Sequence, residues 1–140
     1  MIQSDNCIFC KIVSGAIPAI KVYEDEQTLA FMDINPASDG HSLIISKDHY
    51  ENLLEIEEGA LTAVMLTTQR LARAIKKALK PDGMRVSQFN GAAAGQTVFH
   101  YHAHIVPYHQ GDKLGSHGRG PGDPEVIKQI AAQIRDALGS

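Results

Sequence analysis

No stretch of this 140-residue chain stays apolar for long. The longest strongly apolar run, Ala60–Leu66, falls far short of the roughly 18 residues a membrane span needs. The N-terminal residues lack the basic start and apolar centre of a secretory signal. Charge of one sign is not in excess either: 13 Lys and Arg stand against 16 Asp and Glu, a net charge of -3. That balance gives no reason to expect a bulk polyanion, so nucleic acid is not the expected partner. Cysteine is scarce, tryptophan absent, and no internal repeat is visible. What remains is an ordinary globular composition, 44% hydrophobic and 21% charged, fitting one domain expected in the cytoplasm. The outlier is histidine, with seven residues, three of them within five positions.

Two β runs, Ile20 to Glu24 and Thr28 to Met32, are expected to join as a hairpin across Asp25-Glu26-Gln27. A third strand runs from His41 to Ile45, and the N-cap spacing of Asp48-His-Tyr-Glu51 predicts a short helical turn. From about Glu58 to Lys80, residues Leu61, Val64, Met65, Leu71, Ala72, Ile75 and Leu79 build one apolar helical stripe. Pro81-Asp82-Gly83 stops that helix, and strands are expected at Arg85–Phe89 and Val98–Val106. Residues 109–122 are glycine-rich and read as a flexible connection. Asp123 then caps a last helix over 123–140, with Pro124 at its first position and Ile127, Ile130, Ala131, Ile134 and Leu138 on one face. Strands and helices do not alternate regularly. An α+β fold with an antiparallel sheet, one long helix, a short helix and a C-terminal helix follows, over a main domain of residues 1–108.

Strand alternation puts His100, His102 and His104 on one face, about 6.7 Å apart, with Tyr101, Ala103 and Ile105 on the other. Three chemistries fit such a row. The histidines could be plain solvent-facing residues; His-x-His could chelate a catalytic metal; or the central imidazole could be a nucleophile, one nitrogen held by an acceptor and the other free to attack phosphorus. The preceding loop favours the last. Asn90, Gly91, Gly95, Gln96 and Thr97 offer backbone N–H groups, carboxamides and a hydroxyl, enough to cradle a phosphate, although the loop is not a P-loop.

Gly95-Gln-Thr-Val-Phe-His-Tyr-His-Ala-His-Ile-Val106 resembles the signature of the histidine-triad (HIT) nucleotide-binding family, in its Hint-like bacterial branch. The resemblance extends through Cys7–Ile12, Phe31–Ile34, Gly40-His41, Lys47-x-His49 and Asn90. It implies a five-stranded antiparallel HIT-like fold, usually a homodimer. It also implies a purine nucleoside phosphoramidase or nucleotide hydrolase that uses no catalytic cofactor. In it His102 would attack the α-phosphate of a nucleotide conjugate, carry a transient nucleotidyl group and release a monophosphate such as AMP. His104 and His100 would flank the nucleophile, Gln96 and Thr97 would contact the phosphate or leaving group, and Asn90 and Gly95 would line the nucleotide. Asp33 would accept the ribose hydroxyls, Ile8, Phe9, Ile12, Phe31 and Ile34 would form the base slot, and His41 would stand nearby. The sequence departs at Tyr108, where many bacterial relatives carry arginine. A regulatory nucleotide-binding module with little catalysis is the alternative reading.

Cys7 and Cys10 form a Cys-x-x-Cys pair. A redox motif would normally open a helix after a strand, and no strand is expected before Cys7. Zinc would need two further ligands, and reduced buried thiols would need none. The family resemblance implies the ligands: some bacterial members with this pair bind structural zinc through both cysteines and the histidines matching His49 and His100. A zinc-bound His100 could not also donate to phosphate.

Overall fold

The computed structural model describes residues 3–114 and 120–139. Its order is α1 (Ile8–Ser14), β1 (Lys21–Glu24), β2 (Thr28–Met32), β3 (Ser42–Ser46), α2 (Glu58–Leu79), β4 (Gly83–Ser87), a 3-10 turn (Ala92–Ala94), β5 (His102–Tyr108) and α3 (Pro124–Leu138). All five strands join one antiparallel sheet in the order β1-β2-β3-β5-β4. The expected α+β class and strand count are therefore present. The β1–β2 turn is tied by Asp25, whose Oδ1 accepts the N–H groups of Gln27 and Thr28, each at 2.8 Å.

Register sorts the side chains into two faces. Ala30 stands opposite Ile44, and Ile44 opposite Ala103, in a row that packs against α2 and α3. Leu71 and Ile75 of α2 and Ile127, Ile130, Ala131 and Ile134 of α3 belong to this core with Tyr101 and Ile105. Asp123 caps α3 through Glu125 N–H and Pro124 opens it, as its sequence predicts. The stripe of α2 is rotated slightly from expectation. Thr67 and Thr68 are buried where Met65 is nearly half exposed, because their hydroxyls are satisfied by Thr28 Oγ1 (2.9 Å) and the Val64 carbonyl (2.7 Å).

On the opposite face, the rows Phe31–Leu43–His104 and Leu29–Ile45–His102 lie under α1, which contributes Phe9, Cys10 and Ile12. This helix carries no sequence expectation. The short helical turn expected at Asp48–Glu51 does not form. The chain turns instead at Asn52, whose carbonyl accepts the N–H groups of Glu55 and Ile56.

Two strands also differ from expectation. β4 begins at Gly83, two residues after Pro81, so that Met84 and Val86 pair with Pro107 and Ile105. β5 begins at His102 rather than Val98 because the preceding residues satisfy their polar groups elsewhere. The Tyr101 N–H donates to the Tyr50 carbonyl at 2.7 Å, and the Val98 carbonyl accepts from the Gln96 amide. His100 thus stands outside the strand, and the three imidazoles do not form one open row. In the 109–122 segment, residues 115–119 lie outside the described residues. The Gly122 N–H beyond them donates to the Ile34 carbonyl at 2.9 Å.

Candidate active site and metal cluster

A cavity of about 370 Å³ opens on the α1 side of the sheet. Its apolar wall includes Ile8, Phe9, Ile12, Phe31 and Ile34, the five residues expected to form the base slot. Ile8 and Ile34 are 48% and 62% exposed, large apolar side chains left uncovered at a concave site, as a ligand pocket requires. Asp33, His41, Thr97, His102 and His104 supply the polar wall. Ile17, Pro18, Ala19, Leu43 and Val98 also line it and carried no expectation. Being simple apolar residues scattered over three segments, they gave no pattern to find.

His102 is held for one chemistry. A carbonyl can only accept, so the 2.7 Å contact between its Nδ1 and the His100 carbonyl places a proton on Nδ1 and the lone pair on Nε2. Burial pushes its pKa down, against the upward pull of that hydrogen bond and of the Asp33 carboxylate, so the ring is neutral and nucleophilic near pH 7. Phe9 packs edge-on against it, with ring centroids 5.0 Å apart.

A second chain of tautomers runs through the loop from Asp33 to His41. Gly40 makes this loop possible: its φ is +96°, and a Cβ there would stand 2.6 Å from Leu79 Cδ1. The Asp33 N–H closes onto the His41 carbonyl at 3.0 Å, and the Ala37 N–H donates to His41 Nδ1 at 3.0 Å. Nδ1 accepts, so the proton of neutral His41 is on Nε2. That nitrogen lies 3.1 Å from His104 Nδ1 and 3.5 Å from Asp33 Oδ2. Burial lowers the His41 pKa, opposed by Asp33 and reinforced by His102. His104 Nδ1 therefore accepts, leaving His104 Nε2 as an N–H donor beside His102, with ring centroids 4.8 Å apart. Asp33, His41 and His104 bring three ligand-type atoms within 4.8 Å. Yet the atom His41 would offer a metal already bears its proton, so this cluster is a hydrogen-bond relay.

The cysteine cluster is chemically the reverse. Cys7 is the N-cap of α1, its sulfur accepting the Cys10 N–H, and the three-residue spacing returns Cys10 to the same side one turn later. Cys7 Sγ, Cys10 Sγ, His49 Nδ1 and His100 Nδ1 all lie within 4.8 Å of one another. The sulfur–nitrogen distances are 3.3, 3.4 and 3.6 Å, and the two nitrogens are 3.2 Å apart. A tetrahedron with the usual zinc–sulfur and zinc–nitrogen bonds has edges of about 3.4–3.8 Å. His100 Nε2–H donates to the Ser46 carbonyl at 2.6 Å, which leaves Nδ1 unprotonated and aimed at the sulfurs. Burial, with smaller like-charge effects from His49 and His102, takes its pKa down to about 4. The four residues fit a closed, structural zinc site.

Four expected site residues stand elsewhere. His100 is fully buried with both ring nitrogens engaged away from the cavity, and it meets His102 through its carbonyl rather than its ring. Gln96 is also buried. Its Oε1 accepts from Gly91, and its Nε2 donates to the Glu51 and Val98 carbonyls, which makes it a brace of the loop rather than a phosphate contact. Asn90 Oδ1 takes the Leu53 N–H at 2.9 Å, tying the loop to the 52–55 turn away from the cavity wall. Gly95 closes the 3-10 turn in the left-handed region at φ 102°.

A HIT-domain family model matches residues 14–111. The chain belongs to the histidine triad (HIT) family. The HIT match begins after the cysteine pair and ends before α3. Protein hit of Bacillus subtilis is 43% identical over 98% of this chain and 97% of its own length. The adenylylsulfatase HINT3 of Arabidopsis thaliana is 44% identical over 79% of this chain and 56% of its own. Among solved structures, a zinc-bound histidine triad family protein from Mycobacterium smegmatis superposes with a TM-score of 0.87 at 40% identity, covering 98% of this chain and 96% of that one. The fold is thus the HIT fold, and the HIT family's character is that of nucleotide-binding proteins and hydrolases. Among the described residues, no helix is long and apolar enough to cross a membrane. The Tyr108 ring is buried, and Arg85 lies over it at 5.9 Å.

Proposed function

We propose that the protein hydrolyses purine nucleotide conjugates, adenosine phosphoramidates in particular, through a covalent nucleotidyl intermediate on His102. The observation that carries this reading is the 2.7 Å bond from His102 Nδ1–H to the His100 carbonyl, which leaves Nε2 as the reactive atom on the cavity wall. In the first step Nε2 attacks the α-phosphorus. A phosphorus–nitrogen bond to His102 forms, the bond to the substrate's amine breaks, and the amine departs with that electron pair and takes up a proton. In the second step water adds to phosphorus and loses a proton, the bond to Nε2 breaks, and AMP leaves. The Nδ1 proton stays in place, and its carbonyl partner stabilises the cationic phospho-imidazole ring. His104 Nε2–H and the Thr97 hydroxyl, both on the cavity wall, would donate to the non-bridging oxygens as charge develops. Asp33, an acceptor-only group at the apolar slot, suits the two ribose hydroxyls.

Zinc, held by Cys7, Cys10, His49 and His100, would supply no chemistry to these steps; it would fasten α1 to the residues ahead of β5. Its support is the fit of the four ligands and the zinc-bound relative from Mycobacterium smegmatis. The HINT3 relative's activity on adenylyl sulfate is consistent with attack at the phosphorus of an adenosine monophosphoryl conjugate. Incubation with an adenosine phosphoramidate is expected to release AMP and free amine in equal amounts. A protein that binds AMP but releases none would instead be the regulatory module.

The protein is also proposed to act as a cytoplasmic homodimer. β4 ends the sheet, and its Val86 is 49% exposed, as Leu66 of α2 is at 57%. Sedimentation is expected to show twice the 15.2 kDa chain mass, and a single-chain species at all concentrations would remove the claim.

A further inference from the structure

We infer that Asp33 reports the presence of a ribose to the catalytic edge of His104 through the single N–H of His41, so that the sugar hydroxyls raise turnover as well as affinity. This rests on the nucleotide reading above. The coupling follows from a count of hydrogens. His41 Nδ1 is spent accepting the Ala37 N–H, so the ring has one hydrogen to give, on Nε2. Two acceptors face that hydrogen, His104 Nδ1 at 3.1 Å and Asp33 Oδ2 at 3.5 Å. Whatever one gains the other loses.

Asp33 can change its demand. Its side chain is 19% exposed and lines the cavity, while its Oδ1 already accepts the Asn35 N–H at 2.8 Å. A vicinal diol entering the cavity donates two further hydrogens to the carboxylate and weakens its hold on His41 Nε2–H. The hydrogen then goes more fully to His104 Nδ1. An imidazole that accepts more strongly on one nitrogen is a stronger donor from the other, because hydrogen bonds in a chain polarise one another. The His104 Nε2–H beside the nucleophile becomes the better partner for a phosphate oxygen. Binding energy from a remote part of the substrate is thereby expressed at the reacting centre.

Imidazole ¹⁵N spectra of the zinc-loaded protein with adenosine, which has the diol but no phosphate, isolate this effect. Adenosine is expected to move the His104 Nδ1 resonance toward stronger acceptance, and 2′,3′-dideoxyadenosine at saturation to leave it in place. His41→Asn retains an oxygen that can accept the Ala37 N–H, but its shorter amide brings no N–H to the position of the imidazole Nε2, and it should abolish the difference. In turnover, deleting both hydroxyls from an adenosine phosphoramidate should cut kcat about tenfold in the native protein and less than about twofold in His41→Asn, with a similar rise of KM in both. Identical His104 shifts with the two nucleosides, or an equal kcat penalty in both proteins, overturns the coupling while leaving the nucleotide reading intact. If neither nucleoside perturbs any cavity resonance, the nucleotide reading itself falls, and the coupling with it.

Discussion

His102→Ala is expected to lower kcat for adenosine phosphoramidate hydrolysis by at least about 10⁴-fold, equivalent to roughly 5.5 kcal/mol of transition-state stabilisation. AMP affinity should change by less than about tenfold, because the apolar wall and Asp33 remain. The asymmetry follows from the proposed mechanism, in which His102 would supply the atom that bonds to phosphorus and its neighbours would act by donating hydrogen bonds. Acid-quenched native enzyme, caught during turnover, should carry a nucleotidyl group on a peptide containing His102, and the variant should carry none. Turnover that survives in the variant would move the nucleophile elsewhere. The fold should tolerate the change. The His102 side chain lies under α1 at the cavity, on the sheet face opposite the larger core, and is 8% exposed.

The second large effect concerns the cysteine cluster. Stripping zinc with a strong chelator, or replacing Cys10 by serine, is expected to lower stability by roughly 4 kcal/mol when free zinc stands a thousandfold above its dissociation constant. For a chain of this size that is a fall in Tm on the order of 10 °C. Burial pushes the Cys10 thiol pKa up, so without a cation the sulfur stays protonated and offers α1 little electrostatic anchorage. The effect should reach catalysis indirectly. His100 would ligate zinc through its ring and it positions His102 through its carbonyl, so zinc loss should lower kcat while the metal itself would take no part in the chemistry. One zinc per chain, measured by metal analysis, with a melting temperature that chelator lowers, checks the claim. A melting curve indifferent to chelator would overturn it.

Much of this was legible in the residues, and the misses share a physical origin. The α3 cap, the β1–β2 turn and the α2 periodicity are local features, written in contiguous sequence, and each formed within a few residues of expectation. The slot residues, Asp33 and His41 became visible only as a family pattern, because they come from separate segments of the chain. The seven-residue α1 has too few turns to show an apolar period, and its N-cap is a sulfur. His100 was placed inside the fifth strand because alternation in the sequence extends two residues ahead of the point where the strand begins. The bond that sets that point, Tyr101 N–H to the Tyr50 carbonyl, joins residues 51 positions apart, a spacing no local rule detects. Gln96 and Asn90 carry polar groups that suit a phosphate equally well, and only the completed loop shows those groups engaged, Gln96 with main-chain partners and Asn90 with the Leu53 N–H and the Gln88 side chain.

β5 is a partition. Ala103 and Ile105 face the packed core of α2 and α3, while His102 and His104 face the cavity, so adjoining codons answer to different selection pressures. In a randomised library of this strand, damage at positions 103 and 105 should surface as poor soluble yield, and damage at 102 and 104 as well-expressed but idle protein. The chemistry on one side of the sheet can therefore drift toward new leaving groups while the scaffold on the other stays as it is.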